Sequence, residues 1–430
     1  MNVGQLSVPV RRPHAPAGGS APRAARRQRW VRVAVLLAGL AALAVYLRPG
    51  LANPPAHWPL WDVRVYWWGG RQAARGWALY APGARYSFTY PPFAAALFAL
   101  AARGPEGGLA AVLTVASVGA LAVLCALSLG AAGVRRRPET VFAVTALALL
   151  TWPVIYTLRL GEVNLVLAAL AGTDLLRRHD GRWHQGIATG LAAGIKLTPL
   201  IFVGYLLITG RVRAAVTAAG TFAATVAAGV ALLPSQSRVF WLDGVFDDRY
   251  RIGDPANPSD QSLSGAVARL AGGLDPACRW WAAAALLVGL AGIAVAAWAH
   301  RRGHRLAGVA CCAVTGLLVS PFSWTHHWVW AVPLLVALAA TAWRRRSAAY
   351  GLAAVAAAAV FSGRVPLASH PPGPVRLLEG DLYVLCGLAV LAGTALALAV
   401  ERAAARPLRS AADPAARRHG WSRAPGPGGG

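Results

Sequence analysis

The sequence predicts an all-α, polytopic membrane protein with about ten to twelve transmembrane segments, and three observations carry that reading. Of 430 residues, 57% are hydrophobic and only 13% are charged, about half the charged fraction of an ordinary soluble domain. The charges gather in short runs that leave apolar stretches of roughly 17–27 residues, and about 20 apolar residues span a bilayer. Arginines close those stretches in clusters: Arg26-Arg27, Arg135-Arg136-Arg137, Arg177-Arg178, Arg301-Arg302, Arg344-Arg345-Arg346 and Arg417-Arg418. Such clusters mark cytoplasmic loops under the positive-inside rule. The net charge of +26 is therefore distributed for anionic lipid headgroups, and no nucleic-acid partner is expected.

The elements follow in order. Residues 1–30 are basic and rich in Pro, Ala and Gly, a disordered cytoplasmic tail by composition. No small-residue cleavage site follows the apolar stretch 31–47, so it reads as a retained span that crosses outward. It delivers an external loop, 48–91. Stretch 92–102 is too short to cross and begins at the helix-breaking Pro91-Pro92, so it is re-entrant or interfacial. Stretches 107–133, 139–158 and 164–176 alternate, landing Arg135–Arg137 inside and Glu162 outside. Stretch 186–209 has basic residues on both flanks and is interrupted by Lys196-Leu197-Thr198-Pro199. It reads as two short helices that enter and leave from one side, a break tolerated where it lines a cavity. Stretch 213–233 leads to a second external loop, 234–276. Stretches 279–299, 306–319, 327–343, 347–362 and 382–400 complete the membrane domain, 31–402, and 403–430 forms a second cytoplasmic tail. Both termini are thus expected inside. Five cysteines without C-x-x-C spacing indicate neither zinc nor a disulfide framework.

The candidate chemistry collects on the external side. Asp62 lies among Trp58, Trp61, Tyr66, Trp67 and Trp68, rings that favour the membrane–water interface. A carboxylate desolvated there has its pKa raised toward the range of a general base; pairing with Arg64 or a helix start is the plainer alternative. Tyr86 through Phe93, with Tyr90, form a turn that also offers an aromatic wall for a sugar or lipid. Lys196 is the only lysine among 42 basic residues. Burying it at mid-bilayer costs about 2.5–3.5 kcal/mol on insertion scales, so it either snorkels or faces a cavity and binds an anion such as phosphate. Glu162 and Asn164 sit at a helix start, as caps or site residues. Ser259 or Asp260 fits an N-cap, while Gln261 suits a sugar hydroxyl. His326 and His327, between Trp324 and Trp328, are adjacent; on one helical turn they diverge, so a metal site is not expected. Glu379-Gly380-Asp381 is a weak acidic triplet at the start of the last helix.

In order along residues 60–330, Asp62-Val63-Arg64-Val65-Tyr66, Gly76 through Tyr80, Phe88 through Pro92, Gly161-Glu162-Val163-Asn164, Lys196-Leu197-Thr198-Pro199, Asp260 through Leu263 and Ser320 through His327 resemble family 87 glycosyltransferases. That family belongs to the GT-C superfamily and comprises polyprenyl-phosphate-mannose-dependent α-1,2-mannosyltransferases of actinobacteria. Glu162 stands where glutamine is expected in many relatives. The resemblance implies a GT-C-type helical bundle in the cell membrane, an external active site, and inverting transfer of mannose from a polyprenyl-phosphate donor to a glycolipid or polysaccharide. It implies Asp62 as catalytic base. Such chemistry calls for cations at the leaving phosphate, for which Lys196, His326, His327, Arg64 and Arg249 are candidates. Substrate contacts are expected from Tyr66, Tyr90, Glu162, Asn164, Asp260, Gln261 and Trp324. No cofactor is expected, and a metal-independent reaction is the simpler hypothesis. Two alternatives remain: an arabinofuranosyl or other hexosyl transferase of the same fold, and, in another class, a secondary transporter or inactive scaffold. A transporter predicts internal repeats and midplane ionisable groups; here no repeat is seen and the acids crowd the loops.

Overall fold

The structure is a computed structural model, and it describes residues 20–47, 59–81, 87–177, 182–248, 251–272, 278–363 and 380–404. Arg249, Tyr86 and Glu379 lie outside the described residues. Every regular element among the described residues is helical, as the composition predicts; the one β contact is an isolated antiparallel bridge between Asp260 and Trp324. Helix α1 spans Ser20–Tyr46. It begins well inside the stretch expected to be a disordered tail, because Ala21 through Arg29 combine strong helix formers with arginine.

After α1, the chain forms α2 (Trp61–Ala74) and α3 (Pro92–Ala101). These two short helices pack on each other and share a core of their own around Val63, Tyr66, Phe88, Tyr90 and Phe98. The contact is close enough that a Cβ on Gly70 would lie 2.4 Å from the Phe98 carbonyl oxygen, so only glycine fits there. Helix α4 (Glu106–Ala131) is a full span. The next expected span is instead two helices, α5 (Pro138–Ala148) and α6 (Trp152–Leu160), bent by 80°. Thr151 is extended and Pro153 sits in the first turn of α6, a position where proline starts a helix and does not continue one.

Then come α7 (Asn164–Leu176), α8 (Ile187–Ile195), a 3-10 turn Thr198–Leu200 and α9 (Ile201–Ile208). The break between α8 and α9 is where the sequence predicts it. Helix α10 (Val212–Leu232) leads to α11 (Pro234–Trp241) and α12 (Leu263–Ala271). The N-cap of α12 is Ser262, whose hydroxyl accepts from Gly265 N at 3.1 Å, and neither Ser259 nor Asp260 fills that place. Helices α13 (Cys278–Arg301), α14 (Arg305–Val319), α15 (Ala331–Arg345), α16 (Ala348–Ser362) and α17 (Leu382–Ala404) close the bundle. Between α14 and α15 lies a 3-10 segment, Thr325–Trp330.

Among the described residues, six helices are long and apolar enough to cross a bilayer, counting the continuous stretch Thr325–Arg345 as one, or seven if the bent α5–α6 pair counts as one span. Five further apolar helices of 10–17 residues, α3 among them, are too short to cross straight. Outward faces such as Leu286, Leu287 and Leu290 on α13 are apolar and exposed, as a lipid-facing surface requires. The main core runs through α4, α7, α14, α15 and α17.

Candidate active site

Four separate breaks in helical structure bring their side chains to one place. The first is the start of α2, where Leu60 has φ +45°. A left-handed conformation costs a non-glycine residue about 1–2 kcal/mol, and here the Leu60 amide donates to the Arg159 carbonyl at 3.1 Å. That bond ties α2 to the end of α6 and sets Asp62 in the first turn of α2. The second is the α6–α7 turn. Gly161 has φ +71°, and a Cβ there would lie 2.2 Å from Val63 Cγ2. Glycine is thus required both by the turn and by the contact with α2. The third is Lys196, extended at φ −148° and ψ 132° just after α8. The fourth is the 3-10 segment carrying His326 and His327.

Glu162 is at the centre and is only 1% exposed. Its Oε1 accepts from the Tyr66 hydroxyl at 2.7 Å, the Tyr90 hydroxyl at 3.2 Å and the Val163 amide at 3.1 Å. Its Oε2 faces Lys196 Nζ at 3.4 Å and His326 Nε2 at 3.7 Å. Lys196 Nζ also donates to Asn164 Oδ1 at 3.0 Å and lies 3.1 Å from His327 Nε2. An ammonium only donates, so His327 accepts through Nε2 and carries its proton on Nδ1. Asn164 Nδ2 and Thr157 Oγ1 donate to the His326 carbonyl at 3.1 and 2.9 Å, fixing the histidine segment against α6 and α7.

The electrostatics separate the two carboxyls. Burial pushes Glu162 up, but Lys196, His326 and the Tyr66 hydroxyl together outweigh it and hold the carboxylate below its ordinary range. Burial pushes Asp62 well up; the Glu162 charge adds to this and Lys196 only partly offsets it. No described side chain hydrogen-bonds to Asp62. The phenols of Tyr66 and Tyr90 are driven up by burial first and by Glu162 next, so both stay protonated and act as donors.

Of the residues singled out in the sequence, Asp62, Tyr66, Tyr90, Glu162, Asn164, Lys196, His326 and His327 come together. Tyr66 is fully buried and stacks on Phe98 with centroids 4.3 Å apart, so it positions Glu162 and offers no face to a sugar. Four residues are not in the cluster. Arg64 points to Glu106, 3.1 Å away, and lies over Trp61. Two positions apart on a helix, Asp62 and Arg64 face different ways. Asp260 and Gln261 are fully buried braces. Asp260 Oδ1 accepts from the Ser323 and Ser262 amides at 2.8 and 3.1 Å. The Gln261 amide group donates to the Pro258 and Gly380 carbonyls and accepts from Tyr383 N, which leaves nothing for a sugar hydroxyl. Trp324 packs on Phe322 and stands 6.4 Å, centroid to centroid, from the His326 ring.

The adjacent histidines do not diverge. Because Thr325–Trp330 is 3-10 and Trp328 has ψ 26°, Glu162, His326 and His327 offer ligand atoms within 4.8 Å of one another. That donor set suits a divalent metal in kind. The Lys196 ammonium, however, already sits against Glu162 and His327 and supplies the positive charge that a metal would bring. Thr157 was not evident from the sequence: no motif marks a hydroxyl that binds a carbonyl 169 residues away.

No solved structure matches the chain. Among curated proteins, a polyprenol-phosphate-mannose-dependent alpha-(1-2)-phosphatidylinositol mannoside mannosyltransferase of Mycobacterium tuberculosis is 32% identical over 385 residues, covering 82% of this chain and 88% of the relative. The protein of the same description from Mycolicibacterium smegmatis is 32% identical over 367 residues, 77% of this chain and 82% of its own. A phosphatidylinositol pentamannoside mannosyltransferase from that organism is 34% identical over 339 residues, 73% and 77% of the two chains. The family model for glycosyltransferase family 87 matches residues 88–321. Coverage of this extent settles the classification: the chain is a membrane glycosyltransferase and belongs to glycosyltransferase family 87.

Proposed function

We propose that this enzyme moves a mannosyl residue from a polyprenyl-phosphate donor to a hydroxyl of a phosphatidylinositol mannoside-type glycolipid. The transfer is α-1,2, inverting, and takes place at the outer membrane face. The relatives' names support the donor and acceptor. Asp62 is the base. The observation that carries this role is the contrast within one cluster: Glu162 is saturated with donors and stays ionised, while Asp62 has no side-chain donor among the described residues and its pKa is raised. A base works best when its pKa approaches the working pH.

In the step, the acceptor oxygen attacks the anomeric carbon and its proton passes to Asp62. The anomeric carbon–oxygen bond to phosphate breaks, and the phosphate leaves with the electron pair. Lys196 has three N–H donors and three partners. A phosphate therefore enters by displacing one of them, and Glu162 at 3.4 Å is the longest contact. His326 and His327 stand beside the same spot. Asn164 orients Lys196 from below. Apolar helix surfaces receive the polyprenyl chain.

The test is transfer from labelled polyprenyl-phosphate mannose into a panel of phosphatidylinositol mannosides by the purified chain, with polyprenyl-phosphate arabinofuranose as the competing donor. Incorporation from the mannosyl donor that vanishes in Asp62→Asn is expected. Full turnover in that variant overturns Asp62 as base, and preference for the pentosyl donor overturns the assignment of the sugar.

A further inference from the structure

Another polar assembly lies where α15 ends, away from the histidine segment, and takes no part in the reaction above. Helix α15 runs 15 residues from next to the histidine segment to Arg345, about 22 Å at 1.5 Å per residue. There α14, α15, α16 and α17 enclose a cavity of about 670 Å³, within the range of about 300–1,000 Å³ for ligand pockets. Its floor is apolar, with Leu334, Leu338 and Leu398. Small residues on α16 and α17, such as Ala353 and Ala397, leave the space open. On α17 the lining Leu396 and Val400 are 66% and 60% exposed, so the cavity is continuous with the apolar outer surface.

The rim is basic. Arg305, Arg344 and Arg345 line it together with His304, Tyr350 and, as the one acid among the described residues, Glu401. Glu401 is held by Arg345, by His304 at 3.1 Å and by Arg302 at 3.9 Å, so its charge is more than matched. Arg344 donates to the Ala132 carbonyl, which fixes the guanidinium over the cavity mouth. That bond uses one of the five guanidinium donors.

We propose that this cavity is a binding site for an anionic phospholipid, its phosphate on Arg344 and Arg345 and an acyl chain between α15, α16 and α17. Charge complementarity selects the headgroup: basic pockets between transmembrane helices accept anionic lipids. The apolar floor and lateral opening select a lipid over a free anion. The lipid fastens α16 and α17 to the bundle, and it is distinct from donor and acceptor because the site lies the length of α15, about 22 Å, from the histidine segment.

The experiment is lipid retention by native mass spectrometry, with the full chain released from nanodiscs of equal dioleoyl phosphatidylglycerol and dioleoyl phosphatidylcholine. Retention of phosphatidylglycerol about tenfold over phosphatidylcholine is expected. It should be lost in Arg344→Gln/Arg345→Gln and in the cavity-filling Ala397→Leu, which leaves every charge in place and keeps the question answerable if the arginine variant folds poorly. Equal retention of the two lipids overturns the proposal, as does undiminished phosphatidylglycerol retention in both variants. Displacement of the lipid by millimolar inorganic phosphate also overturns it, in favour of a free-anion site.

Discussion

The start of α2 and the turn between α6 and α7 each place one carboxylate in the same polar cluster, and they treat it in opposite ways. The turn surrounds Glu162 with two phenols, an amide, an ammonium and a histidine. The start of α2 gives Asp62 burial and a neighbouring negative charge but, among the described residues, no side-chain donor. The difference teaches how one fold divides labour between identical groups. A carboxylate bound by several donors is fixed and ionised, so it organises; one left without them is costly to ionise, so it takes a proton.

The largest effect should come from Asp62→Asn, which leaves shape nearly intact and removes only the proposed base. Transfer should fall by about 10²–10⁴, the usual share of a general base, while the melting temperature stays level or rises because a desolvated charge is gone. A loss of folded protein equal to the loss of rate would make Asp62 structural and collapse the contrast. Glu162→Gln tests the other side. It strips Lys196 of its counter-charge, and breaking a buried pair costs about 3–5 kcal/mol. It also removes a charge that raises Asp62, so the acid limb of kcat/KM should move to lower pH, whereas Lys196→Met should move it higher. Limbs that stay in place in both variants would show that the group titrating in the profile is not Asp62.

A smaller effect is expected at the seam between the two regions. In Gly161→Ala the new methyl meets Val63 Cγ2 and the backbone keeps φ +71°, a conformation costing about 1–2 kcal/mol in any L-residue. The Val63→Ala partner substitution relieves the clash and not the backbone strain. The double variant should therefore recover kcat, through Asp62's position, while recovering little melting temperature. Recovery of both together would mean that the steric contact alone sets the turn.

Much of this cluster was legible because each residue stands at a punctuation mark in an apolar chain: Asp62 after Pro59, Glu162 after Gly161, Lys196 before Pro199, His326 after Pro321. Helix breaks are visible in sequence, and polar residues at membrane depth have few dull uses. What was not legible is who faces whom. Arg64 reads as Asp62's neighbour only in one dimension, and on α2 it turns to Glu106. The two histidines diverge only if their segment is α-helical, and it is 3-10. The pairing of Glu162 with Lys196 spans 34 residues and depends on where the broken α8–α9 hairpin stops. Gln261 carries the composition of a sugar ligand, but the Gly380 and Tyr383 backbone that consumes it lies some 120 residues on.

Asp260 offers the smallest effect and the cleanest control, because it is a buried acid outside the cluster. Burial pushes it up to about 7, against the Ser323 and Ser262 hydrogen bonds and Arg269, which pull it down. Its Oδ2 has no partner among the described residues. A raised folded-state pKa means that the folded chain binds the proton more tightly than the unfolded one. Asp260 therefore contributes most below the unfolded value near 3.8, and that contribution is lost as pH rises to about 7. At about 1.4 kcal/mol per unit, and with relaxation of the loop, the loss should be on the order of 1–3 kcal/mol. Asp260→Asn keeps the Oδ1 acceptor and cannot ionise. Its melting temperature should thus change less between pH 5 and 8 than that of the parent chain, meeting or exceeding it above pH 7. Transfer should persist, since the brace for Ser323 is intact. Parallel melting curves would show that Asp260 is already ionised in the fold. Lost transfer with intact melting would return Asp260 to the substrate site, and three acids would then share the chemistry that the contrast between Asp62 and Glu162 assigns to two.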